Sequence, residues 1–266
     1  MPITAAGRVT DPVSTIDSTV VLLTCSDDGQ ARPLGVNSSG LVAGVPEVAL
    51  PTRPDRTAVD PVLAEHEPQR VVVAGTDSDL AAVLTRLLRT DRLGVEVAYL
   101  PTARSAATAA WGLPTGENAL RLALTGAASP VPLVRDDAGG VLVGRAEIHD
   151  LAGECYCDSV LVLRGRTRRL VVTPGPAGIA VRAGWTGRTP DGRERAVAPR
   201  APHGRGSALG RAVQVGCEPA TVINDGVAHP RQVPRWTWYR HTQDWLLVRP
   251  LRVTAGKSRN IVDPSR

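Results

Sequence analysis

The stretch Arg70 to Arg89, RVVVAGTDSDLAAVLTRLLR, constrains the fold more than any other part of the chain. Three β-branched residues, Val71 to Val73, run into the small-residue turn Ala74-Gly75-Thr76-Asp77-Ser78. Leu80, Val83, Leu84, Leu87 and Leu88 then fall at i, i+3, i+4, i+7 and i+8. A short apolar run, a turn and then a 3.6-residue period predict a buried strand feeding an amphipathic helix. In open α/β sheets, ligands bind beyond the carboxyl ends of the strands. The first N–H groups of a helix lack intrahelical partners and attract anions. Gly75 to Asp79 is therefore the first place to look for a phosphate site. The alternative is an ordinary strand-turn-helix with a small-residue N-cap.

With 266 residues, the chain can bury a full core and reads as two domains, with one large domain as the alternative. A hydrophobic fraction of 42% and a charged fraction of 21% suit a soluble globular protein. No apolar run approaches the roughly 18 residues of a membrane-spanning helix. The N-terminal MPITAAGRVTDPVSTIDS lacks a secretory pattern. Four cysteines do not demand disulfides, so a cytoplasmic location is expected. The net charge is +5, and Lys257 is the single lysine among 31 basic residues. This skew reflects GC-rich coding and gives no specific nucleic-acid signal. The densest basic run, Arg164-Gly165-Arg166-Thr167-Arg168-Arg169, lies between strand-like segments and reads as the solvated face of a hairpin.

Residues 1–18 read as a polar arm and Thr19 to Thr24 as a buried strand, followed by the turn Ser26-Asp27-Asp28-Gly29. Pro46, Pro51, Pro54 and Pro61 break residues 30–68 into connections. These hold the apolar pieces Leu41-Val42-Ala43 and Val48-Ala49-Leu50 and a helix over Asp60 to Glu65. After the central unit come a strand over Gly94 to Leu100 and a short helix over Ser105 to Trp111, with Ser105 as N-cap. Gly112-Leu113-Pro114 ends that helix, and a second spans Glu117 to Thr125. Strands alternating with helices predict a parallel sheet covered by helices.

Beyond Gly126 nearly every segment reads as a strand. These are Val131 to Arg135, Val141 to Ile148, Ser159 to Leu163, Arg169 to Thr173, Gly178 to Trp185 and Arg193 to Ala198. Arg211 to Cys217, Ala220 to Ile223, Trp236 to Arg240 and Trp245 to Arg249 complete the set, with turns at Pro190-Asp191-Gly192 and Asn224-Asp225-Gly226. Such spacing predicts an antiparallel sandwich. The expected architecture is an α/β N-terminal domain over 1–126, a C-terminal antiparallel β-sandwich over 127–253 and a polar tail over 254–266.

Glu154-Cys155-Tyr156-Cys157-Asp158 would offer a soft metal two thiolates, with Cys25 or Cys217 as a third. The spacing is not that of a zinc site, and two small buried thiols are the simpler reading. His149, His203, His229 and His241 are scattered and read as structural or solvated. Trp236-Thr237-Trp238-Tyr239-Arg240-His241 is the most aromatic stretch. Core or inter-domain packing explains it better than a ligand platform.

Three runs carry a family likeness. The first is Gly75-Thr76-Asp77-Ser78-Asp79 before Leu80. The second is Leu100 to Ala109, closed by Gly112-Leu113-Pro114, and the third is Ile223-Asn224-Asp225-Gly226-Val227. With the two-domain layout they resemble the diacylglycerol kinase and bacterial lipid kinase family, whose relatives include sphingosine kinases and NAD kinases. That family's strand-turn-helix signature reads Gly-Gly-Asp-Gly-Thr. Gly75 and Asp77 keep its first Gly and its Asp, while Thr76, Ser78 and Asp79 replace the rest. The Gly-Thr-Gly-Asn-Asp core of the second block is absent, and the third run lacks the Glu of the family's Asp-Gly-Glu.

The resemblance implies a nucleotide in the cleft between the domains, Mg-ATP as cofactor and phosphoryl transfer to a lipid hydroxyl. It also implies nucleotide-binding roles for Gly75, Thr76, Asp77, Ser78 and Thr102, with Gly75 shaping the loop and Asp77 near the phosphates. Asp158 lies where such kinases carry acidic residues. No catalytic residue and no metal ligand is assigned. The substitutions weigh against the activity. Thr76 and Ser78 crowd an approach that bare glycine amides permit. Asp79 suits the helix dipole but repels a phosphate on the same amides. The expectation is a divergent lipid kinase-like protein with weak or no phosphoryl transfer, binding a small molecule or a protein partner in the cleft. The alternatives are an active lipid kinase and a relative with a changed small-molecule substrate. A homodimer is left open.

Overall fold

The computed structural model describes residues 20–27, 44–188, 194–197 and 206–250, with backbone alone for 185–188 and 194–197. The polar arm, Asp28-Gly29, Leu41 to Ala43, the Pro190 to Gly192 turn, His203 and the polar tail lie outside these residues.

The N-terminal half alternates strands and helices: β1 (Val20–Ser26), β2 (Glu47–Pro51), α1 (Arg56–His66), β3 (Arg70–Gly75), α2 (Asp77–Arg89), β4 (Glu96–Pro101), α3 (Ala106–Trp111), α4 (Glu117–Thr125) and β5 (Ala128–Val131). In β3, Val71 and Val73 enter one core with Leu80, Val83, Leu84 and Leu87 of α2. Val72 and Ala74 enter another with Ala119, Leu120 and Ala123 of α4. Both faces of the strand are buried, so its sequence is continuously apolar rather than alternating. α1 begins earlier than its prolines suggested. Asp55 caps it, its carboxylate accepting from the Thr57 and Ala58 amides at 2.9 and 3.2 Å.

The second half is antiparallel: β6 (Val134–Asp136), β7 (Val141–Leu142), β8 (Ala146–Cys157), β9 (Val160–Gly175), β10 (Gly178–Arg188), β11 (Glu194–Val197), β12 (Ser207–Gly210), β13 (Ala212–Ala220), β14 (Val222–Asn224), β15 (Val227–Ala228) and β16 (Val233–Arg240). A last strand, β17 (Trp245–Val248), returns to the first sheet. That sheet has the order β2-β1-β3-β4-β17-β5, with β5 alone antiparallel. Trp245 to Arg249 had been expected to close the sandwich. Instead Trp245 and Leu247 bury beside Trp111 in the α2 core, with the Trp111 and Trp245 rings edge to face at 5.9 Å. An apolar strand does not reveal which sheet it joins.

Other differences have local causes. The expected strand over Val131 to Arg135 is two strands, because the chain changes sheets around Pro132, which has no N–H for a ladder. The expected strand over Val141 to Ile148 is interrupted at Val143 to Arg145, whose amides bond elsewhere. Ser159 to Leu163 and Arg169 to Thr173 are one strand, β9. The arginine run between them lies on the outer side of the hairpin formed by β8 and β9. Arg164 meets Glu154 at 2.8 Å, Arg166 meets Glu218 at 3.4 Å and Arg169 meets Glu147 at 2.6 Å.

The second sheet turns a corner at Asp150, whose φ is +48°. Ala146 and Ile148 face the core before it, and Leu151, Cys155 and Cys157 after it. This change of parity bends β8 and β9 so that the sheet wraps over its own apolar face. Trp236 and Trp238 fill that core beside both thiols. Burial pushes the Cys155 thiol up to about 12, with Cys157 adding to it. Among the described residues no group of three or more His, Cys, Asp or Glu could hold a metal ion. No described helix is long and apolar enough to cross a membrane.

Arg70 ties β3 to the end of α4. Its guanidinium donates to Glu96 at 2.7 Å, to the Ala123 and Leu124 carbonyls at 3.0 Å each, and to the Gly126 carbonyl at 2.8 Å. A cation here satisfies the orphan carbonyls of a helix C-terminus. Arg70→Met is expected to lower unfolding stability by about 1–3 kcal/mol, because it leaves three carbonyls and a half-exposed carboxylate without their donor. Urea unfolding followed by tryptophan fluorescence reads this; an unchanged midpoint would contradict it.

Candidate functional site

The turn between β3 and α2 is closed by its own side chain. Asp79, the third residue of α2, is fully buried. Its Oδ2 accepts from the Thr76 N–H and from the Thr76 hydroxyl, both at 2.7 Å. Its Oδ1 accepts from the Arg53 N–H at 2.6 Å, and Arg53 has a left-handed φ of +50°. Gly75 permits this closure, since a Cβ there would lie 2.6 Å from Asp79 Oδ2. The Thr76 and Ser78 hydroxyls are 2.9 Å apart. Thr102, just past the end of β4, donates its N–H to the Gly75 carbonyl at 3.1 Å. The structure thus brings together Gly75, Thr76, Asp77, Ser78 and Thr102 at the carboxyl ends of β3 and β4.

Asp77, the first residue of α2, points the other way, into the junction between the sheets. Its Oδ1 accepts from the Tyr99 hydroxyl at 2.9 Å, and its Oδ2 from the Ala107 N–H in the first turn of α3 at 3.0 Å. Both carboxylate oxygens are therefore engaged. Burial first, and then the Asp77 charge, push the Tyr99 phenol well above its ordinary value, so it remains a donor.

From the second sheet, Asp225 reaches the same place. It occupies the two-residue turn between β14 and β15, where Asp225 and Gly226 have φ of +48° and +82°. Positive φ at both positions marks a type I′ hairpin and explains the Asp-Gly pair. The Asp225 carboxylate accepts from the Val143, Gly144 and Arg145 amides at 3.0, 2.8 and 2.9 Å. Those three N–H groups are the ones missing from the strand that the sequence predicted over Val141 to Ile148. The Val143 carbonyl accepts from the Trp111 indole at 2.7 Å, which docks α3 on the same segment.

Gly144 is the point of closest approach. A Cβ there would lie 2.7 Å from Asp77 Oδ2, 2.8 Å from the Ala107 nitrogen and 3.0 Å from Asp225 Oδ1. Burial pushes the Asp225 carboxyl up to about 7. The three amides oppose this, and the Asp77 charge adds to it. Behind it, Asn224 donates to Asp136 at 2.7 Å and accepts from the Trp238 indole at 3.1 Å, holding the hairpin on β16 and β6.

Sequence reasoning found the β3–α2 turn but not its partners. Asp225 was legible as a turn residue and as part of an Asp-Gly-Glu remnant, but not as a partner of Asp77. Tyr99, Ala107, Gly144 and Arg53 carry no motif. Asp158 has a different task from the one its position suggested. It accepts from the Arg211 and Ala212 amides at 3.1 and 2.9 Å, pinning the start of β13.

The Thr76 amide and the space over Gly75 are taken by the Asp79 carboxylate, and each Asp77 oxygen already accepts one hydrogen bond. Gly144→Ala is expected to cost about 1–3 kcal/mol, since no neighbour of the new methyl can yield without breaking a buried hydrogen bond. Gly216→Ala serves as a control, because nothing lies within 4 Å of its Cβ position. Urea unfolding of both variants measures the contrast; equal costs would contradict the crowding at Gly144.

No family model matches the sequence, and no curated protein matches it. Solved structures do match. One candidate diacylglycerol kinase from Bacillus anthracis strain Sterne has a TM-score of 0.61 at 12% identity, over 89% of this chain and 99% of its own. A second structure so described, from the same organism, has a TM-score of 0.60 at 12% identity, over 90% of this chain and 100% of its own. An NAD kinase from Archaeoglobus fulgidus in complex with ATP has a TM-score of 0.51 at 12% identity, over 86% of this chain and 93% of its own. The α/β sheet and the large antiparallel sheet are thus those of the diacylglycerol kinase and NAD kinase-like fold.

Proposed function

We propose that this chain is a lipid kinase-like protein that transfers phosphoryl groups from ATP weakly or not at all. Its cleft instead serves to bind a small molecule or a protein partner. The observation that carries this reading is the Asp79 carboxylate, which takes the Thr76 amide and fills the space over Gly75. A phosphate on this turn would have to displace a fully buried carboxylate from three hydrogen bonds and then lie against its negative charge. Removing one partner of such a bond costs on the order of 1–3 kcal/mol.

A second reading has one observation in its favour. Asp77 and Asp225 converge on Gly144, which supports a kinase-like site with two acids. On that reading the chain is an ATP-dependent lipid kinase.

Isothermal titration and thermal shift with millimolar Mg-ATP separate the two. The first reading expects no heat of binding and an unchanged Tm, whereas a ligand at a hundred times its Kd stabilises by about 2.7 kcal/mol. Saturable binding, with phosphoryl transfer to diacylglycerol that Asp77→Asn abolishes, would establish the second reading and overturn the first.

A further inference from the structure

At the far end of α2, two guanidiniums meet over the turn between β6 and β7. The helix has 13 residues, so this point lies on the order of 20 Å from Asp77 and the β3–α2 turn. Arg89 is the last residue of α2, yet the carbonyls before it do not need its side chain. The Arg86, Leu87 and Leu88 carbonyls already accept from the Thr90, Arg92 and Asp91 amides at 2.9, 2.8 and 3.4 Å. Arg89 instead reaches across and donates Nη2 to the Gly139 carbonyl at 3.2 Å. Gly139 has a left-handed φ of +76°. A Cβ there would collide with Arg89 Nη2 and lie 3.8 Å from Arg135 Nη2.

Arg135 is the second cation. It stands on β6 opposite Tyr239 of β16, with its guanidinium 5.9 Å from the centre of that ring. Its Nε is sealed from solvent and meets no acceptor among the described residues, while its Nη groups are not sealed. Burial first, and then the Arg135 charge, lower the proton affinity of His241, so the imidazole adds no further charge at neutral pH. The acids in the neighbourhood are committed elsewhere. Asp136 accepts from the Gly140 amide at 2.9 Å and from Asn224 at 2.7 Å, and Asp244 pairs with Arg240 at 3.0 Å. Asp137 is exposed. Among the described residues neither Arg89 nor Arg135 forms an ion pair.

We propose that Arg89 and Arg135 hold a phosphate group, free or as an ester, between the end of α2 and the β6–β7 turn. Two guanidiniums held together repel each other, and the sealed Nε has lost water without gaining an acceptor. A dianion on the open Nη groups offsets both charges. Its oxygens point in tetrahedral directions, so they can accept from two forks that arrive from different elements. A carboxylate matches one such fork. The bound anion would clamp the turn to the helix, beside the bond from the Val141 N–H to the Thr85 hydroxyl at 3.2 Å. This site is separate from the cleft and does not depend on how the cleft is used.

Titration of the full chain with inorganic phosphate, and separately with glycerol 3-phosphate, at constant ionic strength tests this in ¹H–¹⁵N spectra. The Gly139 and Gly140 amides and the Arg135 Nε–H are expected to shift saturably, with half-saturation at about 1 mM or below. In Arg89→Gln, which replaces an exposed side chain and spares the core, affinity should fall about tenfold or more. Arg135→Gln should lose it as well. Arg166→Gln, which changes a surface arginine paired with Glu218, should leave it unchanged. Saturation by phosphate itself assigns the site to the free anion, and saturation by the ester alone assigns it to a larger phosphorylated molecule. No saturation by either ligand in the wild-type protein overturns the proposal whether or not the variants fold. A shift that chloride reproduces at equal ionic strength overturns it, and so does one that survives in Arg89→Gln.

Discussion

The Asp225 carboxylate is the contact on which the assembly of this molecule depends. It gathers three consecutive amides that belong to no strand and fixes the connection between β7 and β8 against the first sheet's helices. Buried amides without partners are costly, so this segment would not lie here without such an acceptor. Once it is fixed, its carbonyl receives the Trp111 indole, its glycine admits Asp77, and α3 settles with its first turn on Asp77. An Asp-Gly hairpin turn in one sheet thus positions a helix in the other.

The crossing segment also makes the two halves hard to separate. Val131, Leu133, Val141 and Val143 are buried in the same core as α2, although β6 and β7 belong to the antiparallel sheet. The Val141 amide bonds the Thr85 hydroxyl at 3.2 Å, and Arg89 reaches the Gly139 carbonyl at 3.2 Å. Together with β17, which crosses back, these contacts interlock the layers. Gly144 keeps room for the two acids at the centre.

Much of this was legible in the sequence. The central strand and helix declared themselves through Val71 to Val73 and the leucine period, because a strand buried on both faces and an amphipathic helix have different repeats. Ser105 was readable as an N-cap, and its hydroxyl accepts the Thr108 N–H at 3.2 Å. What remained hidden depends on contacts distant in sequence. β17 joins the first sheet because Trp245 fits beside Trp111. The corner at Asp150 is a backbone event with no composition signal. Asp77 and Asp225 are far apart along the chain, and only the folded junction brings them together. The consequence of Asp79 was half visible. The sequence predicts that its charge opposes phosphate, but its capture of the Thr76 and Arg53 amides could not be read without the fold.

The central claim is that the β3–α2 turn is already occupied by its own carboxylate. The Thr76 amide resonance in a two-dimensional ¹H–¹⁵N spectrum, followed through a millimolar Mg-ATP titration, tests this most directly. The account predicts that the Thr76, Asp77 and Ser78 amides stay in place, with Thr76 keeping the downfield position of an N–H bonded to a carboxylate. A saturable shift of these three resonances would contradict it.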